Sequence, residues 1–380
     1  MRTGRFFSYI KWGVLCGPLL LAANGCATRE AASPPPAKVS KLEAPVKRVA
    51  DQALAVKGAA GVGDLPLYAS MDIVAAAPKV STVPIVIHGT LRNADTYFDT
   101  GKEILSGAGK PDGSVLVVAP QFLTAPDVKQ FSMPPQTLMW TQEGWKSGEP
   151  AIGPAPISSF EAIDALLDHF ADKRLYPALR NVVVMGHSAG AQIVQRYAVV
   201  GQGGTLLARK GVPVRFVVAN PSSYLYFSDQ RPNPAPAGTC PAATKWKYQL
   251  EGGPPYVASQ NADEVEARYA KRRVEYLLGQ ADTDPYTHFI DRSCGGMAQG
   301  PNRLERGLAY FDYLKSRHPS GLNQRVVQVP GVGHNNLGMF TSACGMAVLF
   351  DRPVPASCPV VGRPGPRTNA VSPPSRRPPG

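Results

Sequence analysis

The sequence predicts an α/β fold: a doubly wound, mostly parallel sheet with helices on both faces. Two observations lead there. Apolar runs stand at Pro84–His88, Val115–Ala119, Val182–Met185, Val214–Ala219, Val274–Leu278 and Val326–Val329. Each is too short for a helix, as expected of strands buried on both sides. Between them lie helix-like segments at Ser159–Asp172, Ala189–Val200, Ala262–Arg273 and Arg303–Arg317. Strands alternating with helices imply parallel crossover units packed into one layered domain. A third observation adds chemistry to the fold, because the run at Val182 breaks abruptly at Gly186-His-Ser188-Ala-Gly190 and a helix follows at once.

A strand that turns so sharply into a helix presents its middle residue on a strained elbow. Two flanking glycines keep side chains out of the turn, so Ser188 Oγ is exposed at the carboxyl edge of the sheet. A hydroxyl needs a base to take its proton, and the base needs an orienting acid. In this arrangement the acid and then the histidine follow later strands. Val274–Leu278 runs into Gly279-Gln-Ala-Asp282-Thr-Asp284-Pro285, which offers Asp282 as the acid, with Asp284 in reserve as an alternative or as a turn former. Val326–Val329 runs into Gly331-Val-Gly333-His334, which places His334 in a loosened loop after a strand. The other histidines lack that setting. His88 ends a strand, His187 sits inside the elbow, and His169 falls on a helix face expected to be solvated. His288 lies beyond the acid turn and His318 at a helix end.

Two backbone donors should face the oxyanion that develops on attack. The Ala189 amide, first in the helix after the elbow, is one. The loop after Pro84–His88 supplies the other, Thr90 or next to it Leu91. Substrate preference should come from inserts between the strands. Tyr224 and Tyr226 follow a strand directly, and Trp140 and Trp145 lie in a long connection. Trp246 and Tyr248 sit in an insert that could form a lid. Tyr224, Tyr226 and Trp140 are therefore candidate pocket residues, with simple core packing as the competing reading.

Together, the His88-Gly89 loop, the Gly186-His-Ser188-Ala-Gly190 elbow, the Gly279-x-x-Asp282 turn and the Gly333-His334 loop resemble a serine esterase of the α/β-hydrolase superfamily, over roughly Leu65 to Phe350. The tract from His88 to Phe98 is similar to secreted polyhydroxyalkanoate-depolymerase-like and feruloyl-esterase-like hydrolases. The resemblance implies hydrolysis of a small or oligomeric carboxylic ester without a cofactor or a metal. Two other functions stay open: a non-catalytic envelope protein that keeps the fold for binding, and an amidase or peptidase with the same machinery.

The ends read differently from the middle. Arg2, Arg5 and Lys11 precede the apolar Trp12–Ala23, as in a secretory signal over residues 1–25. Ala23-Asn-Gly-Cys26 resembles a bacterial lipoprotein processing site at which Cys26 would be acylated, although Ala23 stands where leucine is usual. A plain secretory signal is the alternative. Residues 26–63, with Pro34-Pro35-Pro36, suit a flexible tether. Residues 64–352 are the catalytic domain, and residues 353–380, rich in Pro and Arg (Arg363, Arg367, Arg376 and Arg377 among them), read as a disordered tail.

Export would place Cys240, Cys294, Cys344 and Cys358 in an oxidising compartment. Of three connectivities, Cys344–Cys358 would pin the chain end and Cys240–Cys294 would brace the loops near the acid turn, with free buried thiols as the alternative. No Cys-x-x-Cys spacing points to zinc. The formal charge of +12 falls by three without the signal's cations, and no basic stretch is interleaved with aromatics. The expected partners are therefore an ester and, through the lipid anchor, a bacterial membrane rather than nucleic acid.

Overall fold

Along each apolar run, alternate residues face opposite sides of a single sheet, and this sets the architecture. The computed structural model describes residues 40–109 and 113–363. Its strands are β1 (Gln52–Gly58), β2 (Gly61–Ala69), β3 (Thr82–Ile87), β4 (Val118–Pro120), β5 (Leu123–Thr124), β6 (Met139–Trp140), β7 (Asn181–His187), β8 (Val214–Ala219), β9 (Val274–Gly279), β10 (Gln324–Val329) and β11 (Val360–Gly362). The main sheet runs β1-β2-β4-β3-β7-β8-β9-β10-β11, and β5 pairs with β6 apart from it. Pairing is parallel from β4 through β10 and antiparallel at both edges.

Two apolar clusters cover the two faces. Val83, Ile85 and Ile87 of β3 join Val182 and Val184 of β7, with Phe160 and Ile163 of the helix Ser159–Phe170, on one face. Val86, Val183, Met185 and Val217 point the other way, toward Ile104 of the helix Ala94–Gly107 and Met339 and Val348 of later helices. Burial on both faces explains why these strands show predominantly apolar runs. The helix Ser159–Phe170 begins at a capping box in which Ser158 and Glu161 satisfy each other's backbone donors.

The edges depart from the sequence reading. The predicted tether reaches into the fold, because Gln52–Gly58 and Gly61–Ala69 form a paired hairpin at one edge of the sheet. Proline content and scattered charge concealed a strand whose burial alternates in period two only over a few residues. At the other edge, β11 pairs with β10 inside the predicted disordered tail. Arg363 there ion-pairs with Glu275, which is fully buried in β9. A buried carboxylate draws this basic end of the chain onto the sheet. The helix Ala94–Gly107 was also unanticipated. Disulfides join Cys240 to Cys294 and Cys344 to Cys358, in the expected pairing. Cys26, the signal and residues 364–380 lie outside the described residues. Among the described residues, no helix is long and apolar enough to cross a membrane.

Candidate active site

Ser188 sits where β7 ends and the helix Ala189–Val200 begins. Its backbone is at φ 60°, ψ −120°, a strained conformation that a packed elbow can impose on a non-glycine residue. Both glycines are sterically required. A Cβ on Gly186 would lie 2.4 Å from the Gly190 carbonyl, and one on Gly190 would lie 2.2 Å from the Ile87 carbonyl oxygen. The parallel register places Gly186 beside Ile87 of β3 and His187 beside Ala219 of β8, so the serine emerges at the carboxyl ends of the central strands.

Three loops bring the predicted polar residues together there. His334 Nε2 lies 2.9 Å from Ser188 Oγ, and His334 Nδ1 lies 2.8 Å from Asp282 Oδ2. Asp284 is exposed and accepts the Tyr286 amide, so it is a turn former, and Asp282 is the residue brought to the histidine. Gly279 lets the acid and histidine loops approach, since a Cβ there would lie 2.4 Å from the Val332 carbonyl oxygen.

Charges around the imidazole set its protonation. Behind Asp282 lies Arg303, 3.6 Å from Oδ1, with both side chains fully buried. Arg303 also donates to Thr287 Oγ1 and the His288 carbonyl, tying the acid to the loop that carries Phe289. The His187 ring packs on His334 with centroids 4.4 Å apart, and neither of its ring nitrogens has a hydrogen-bond partner. The His334 pKa is lowered; burial is the largest cause, the Arg303 cation adds to it, and the Asp282 bond opposes both. His187 is held well below the usual histidine range, by burial first and then by His334 and Arg303, so it stays neutral.

Of the two expected oxyanion donors, one lines the same place. Thr90 borders the cavity that holds Ser188 and His334, and Ala189 is buried at the helix start. The Thr90 N–H points opposite the Gly89 carbonyl, because their shared peptide is planar and trans. That carbonyl accepts from the Arg92 amide at 3.1 Å and contacts His88 Nδ1 at 2.9 Å. His88 Nε2 accepts the Phe122 amide at 3.0 Å, which leaves Nδ1 to carry the proton and donate. Burial lowers the His88 pKa to about 4, keeping the ring in this neutral role. His88 thus shapes the loop beyond merely ending a strand.

The cavity has a volume of about 580 Å³, and its lining includes Thr96, Tyr97 and Thr100 of one helix together with Asn335, Asn336 and Leu337. A second cavity of about 250 Å³ shares Thr90 and Phe289 with it and is lined by Glu143, Lys146, Gln192 and Lys247. The aromatic pocket predicted from sequence is not there. Tyr224, Tyr226 and Trp140 are all fully buried. Tyr224 stacks on Tyr310, Tyr226 packs edge-on against the same ring, and Trp140 Nε1 donates to the Ile157 carbonyl. Trp145 stacks on Phe122, Trp246 donates to the Ser147 carbonyl, and Tyr248 donates to Asp291. His169 is half-buried and contacts the Ile73 carbonyl, not a solvated face. Arg303 was missed because nothing in its local sequence separates it from an ordinary helix residue, and the elbow position of His187 gave no sign that its ring packs on His334. Among the described residues, no group of three His, Cys, Asp or Glu could hold a metal ion.

Residues 85–346 match the model of the alpha/beta hydrolase family. The chain belongs to that family. A comparison with curated proteins gave no match. Among solved structures, the poly(3-hydroxybutyrate) depolymerase of Bordetella parapertussis is similar, with a TM-score of 0.55 and 18% identity over 84% of this chain and 98% of that one. The poly(aspartic acid) hydrolase-1 of Sphingomonas sp. KT-1 has a TM-score of 0.52 and 21% identity, over 78% of this chain and 96% of that one. At these identities the likeness is one of fold.

Proposed function

We propose that this protein is an exported serine esterase that hydrolyses carboxylic esters through an acyl-enzyme. The observation that carries the reading is the continuous chain from buried Asp282 through His334 to Ser188 Oγ on a strained elbow. Ser188 Oγ attacks the ester carbonyl carbon while His334 Nε2 takes its proton. The carbonyl oxygen becomes an oxyanion facing the Thr90 and Ala189 amides. His334 then returns the proton to the leaving alkoxide, and the alcohol departs. Water, activated by the same nitrogen, releases the acid and restores the serine. Because His334 protonates the leaving group, the alcohol lies in the larger cavity beside His334, and the acyl part reaches toward the second cavity past Thr90.

The two similar structures are named for a polyester and a polyamide, so the fold hosts both bonds. Peptide amides therefore belong in the test. Purified protein and Ser188→Ala should be assayed on p-nitrophenyl esters of graded acyl length, aryl esters and peptide amides. We expect ester turnover that Ser188→Ala abolishes with an unchanged circular dichroism spectrum. Full esterase activity in Ser188→Ala would sink the reading, and turnover confined to amides would reassign the bond. Export is supported by the two disulfides, which suit an oxidising compartment. Anchoring through Cys26 is part of the proposal.

A further inference from the structure

The loop that carries Thr90 is fastened from behind by buried side chains, and those side chains end on the segment that precedes β1. Arg92 lies two residues past Thr90, fully buried, at a left-handed φ of 58°. Every N–H of its guanidinium is used. Nε donates to Asp127 Oδ2 at 2.6 Å, and Nη2 donates to Asp127 Oδ1 at 3.1 Å and the Ala44 carbonyl at 2.8 Å. Nη1 donates to the Leu42 carbonyl at 2.9 Å and to Gln142 Oε1. Gln142 in turn donates through Nε2 to the Thr90 carbonyl at 2.8 Å.

The same segment is tied at two further points. Asp127 Oδ1 accepts the Val46 amide at 2.8 Å. Fully buried Gln121 accepts the Ala50 amide at 2.9 Å while donating to the Arg92 carbonyl at 3.0 Å. Three buried side chains therefore each hold both the Leu42–Ala50 segment and the loop. The Asp127 carboxyl stays below its usual range: burial alone would raise it, and Arg92 with Thr124 more than offset that. Leu42 also lines the second cavity beside Thr90.

We propose that Leu42–Ala50 is a strap that positions the Thr90 oxyanion donor, with Arg92, Asp127, Gln121 and Gln142 as positioning residues. This rests on the serine-hydrolase reading and on Thr90 as a donor. An oxyanion donor works only when held within a few tenths of an ångström of where the negative charge develops. The Arg92 amide orients the Gly89–Thr90 peptide directly, and the Arg92 side chain is fixed by carbonyls of the strap. A buried guanidinium left with unpaired donors is strongly unfavourable, so loosening the strap forces Arg92 and the loop to move together.

The full-length chain provides the test. Val46→Pro removes the amide that Asp127 accepts, Ala50→Pro removes the one Gln121 accepts, and Gln142→Ala cuts the link to Thr90. Outright loss of an oxyanion donor lowers kcat roughly 100- to 1,000-fold, and a displaced donor should lower it about 10- to 100-fold with KM little changed. Inhibition by a boronic acid, which mimics the tetrahedral intermediate, should weaken by the same factor. Val46→Pro combined with Gln142→Ala should lose no more than the worse single variant, because both act through one route. Thermal melts set the assay temperature where each variant is folded, and Ala50→Pro carries the strap test if Val46→Pro does not fold. Unchanged kcat and boronate affinity in folded strap variants, or a rise in KM alone, would overturn the proposal. Ser188→Ala separates the two claims. Activity in that variant defeats the serine reading, whereas a dead Ser188→Ala beside fully active strap variants defeats the strap alone.

Discussion

Arg303 illustrates how one buried cation sets the behaviour of the proposed acid and base. It lies against Asp282, and its charge disfavours a proton on His334, adding to the effect of burial. The groups facing His334 are Asp282, Arg303, Ser188 and the neutral ring of His187, with Asp99 and Glu103 across the cavity. The reactive form has His334 neutral, so activity rises with pH as His334 loses its proton. Removing the Arg303 cation raises the His334 pKa, and the acid limb of the kcat/KM profile moves to higher pH. Arg303→Met should therefore lose more activity at pH 6 than at pH 8, and Arg303→Lys should restore most of the wild-type profile. A uniform loss at every pH would make Arg303 a packing residue instead. Ser188, Asp282 and His334 were legible in sequence because the strand ends that carry them have a recognisable order. Arg303 was not, since its significance comes from contact with Asp282, twenty-one positions earlier, and not from its neighbours on the helix.

Among the elements, the elbow is the one with least freedom. Gly190 meets the Ile87 and His88 carbonyl oxygens, which are backbone and cannot swing aside. Gly190→Ala should destabilise the fold by about 1–3 kcal/mol, as overpacking does, and should lower activity further by shifting Ser188. Urea unfolding measures the first effect, and wild-type stability in this variant would show the elbow to be looser than described. The central strands and the helices Ser159–Phe170, Ala189–Val200 and Arg303–Arg317 were readable because burial on two faces, or on one stripe, leaves a periodic signal. The helix Ala94–Gly107 was hidden by its four glycine and threonine positions, Thr96, Thr100, Gly101 and Gly107, of which Gly101 admits Val117 at close range. The tyrosines after β8 were misread for a related reason. Adjacency to a strand end does not reveal whether a side chain turns toward the cavity or, like Tyr224 and Tyr226, into the ring cluster around Tyr310.

At the scale of the whole molecule, a strand joins the sheet near each limit of the described residues. β1 and β2 close one edge, while β11, the Cys344–Cys358 disulfide and the Arg363–Glu275 pair fasten the other. Composition suggested a longer tether and tail because Pro, Arg and short alternating strands are common to disordered segments and to sheet edges alike. The strap at Leu42–Ala50 moves the start of the folded chain ahead of β1. Under the proposed anchoring, Cys26→Ser should shift the protein out of the membrane fraction while esterase activity persists, because acylation at one thiol provides the hold. A mature chain whose intact mass shows an unmodified N-terminus other than Cys26 would instead mark a freely secreted enzyme. Trapping the acyl-enzyme is the decisive experiment on Ser188. The protein should be mixed with p-nitrophenyl acetate, quenched in acid within the first turnover and mapped by peptide mass spectrometry. We expect one acetyl group per chain, on Ser188, together with a p-nitrophenol burst that disappears in Ser188→Ala. An acetyl group on another residue, or steady turnover in Ser188→Ala, would contradict it.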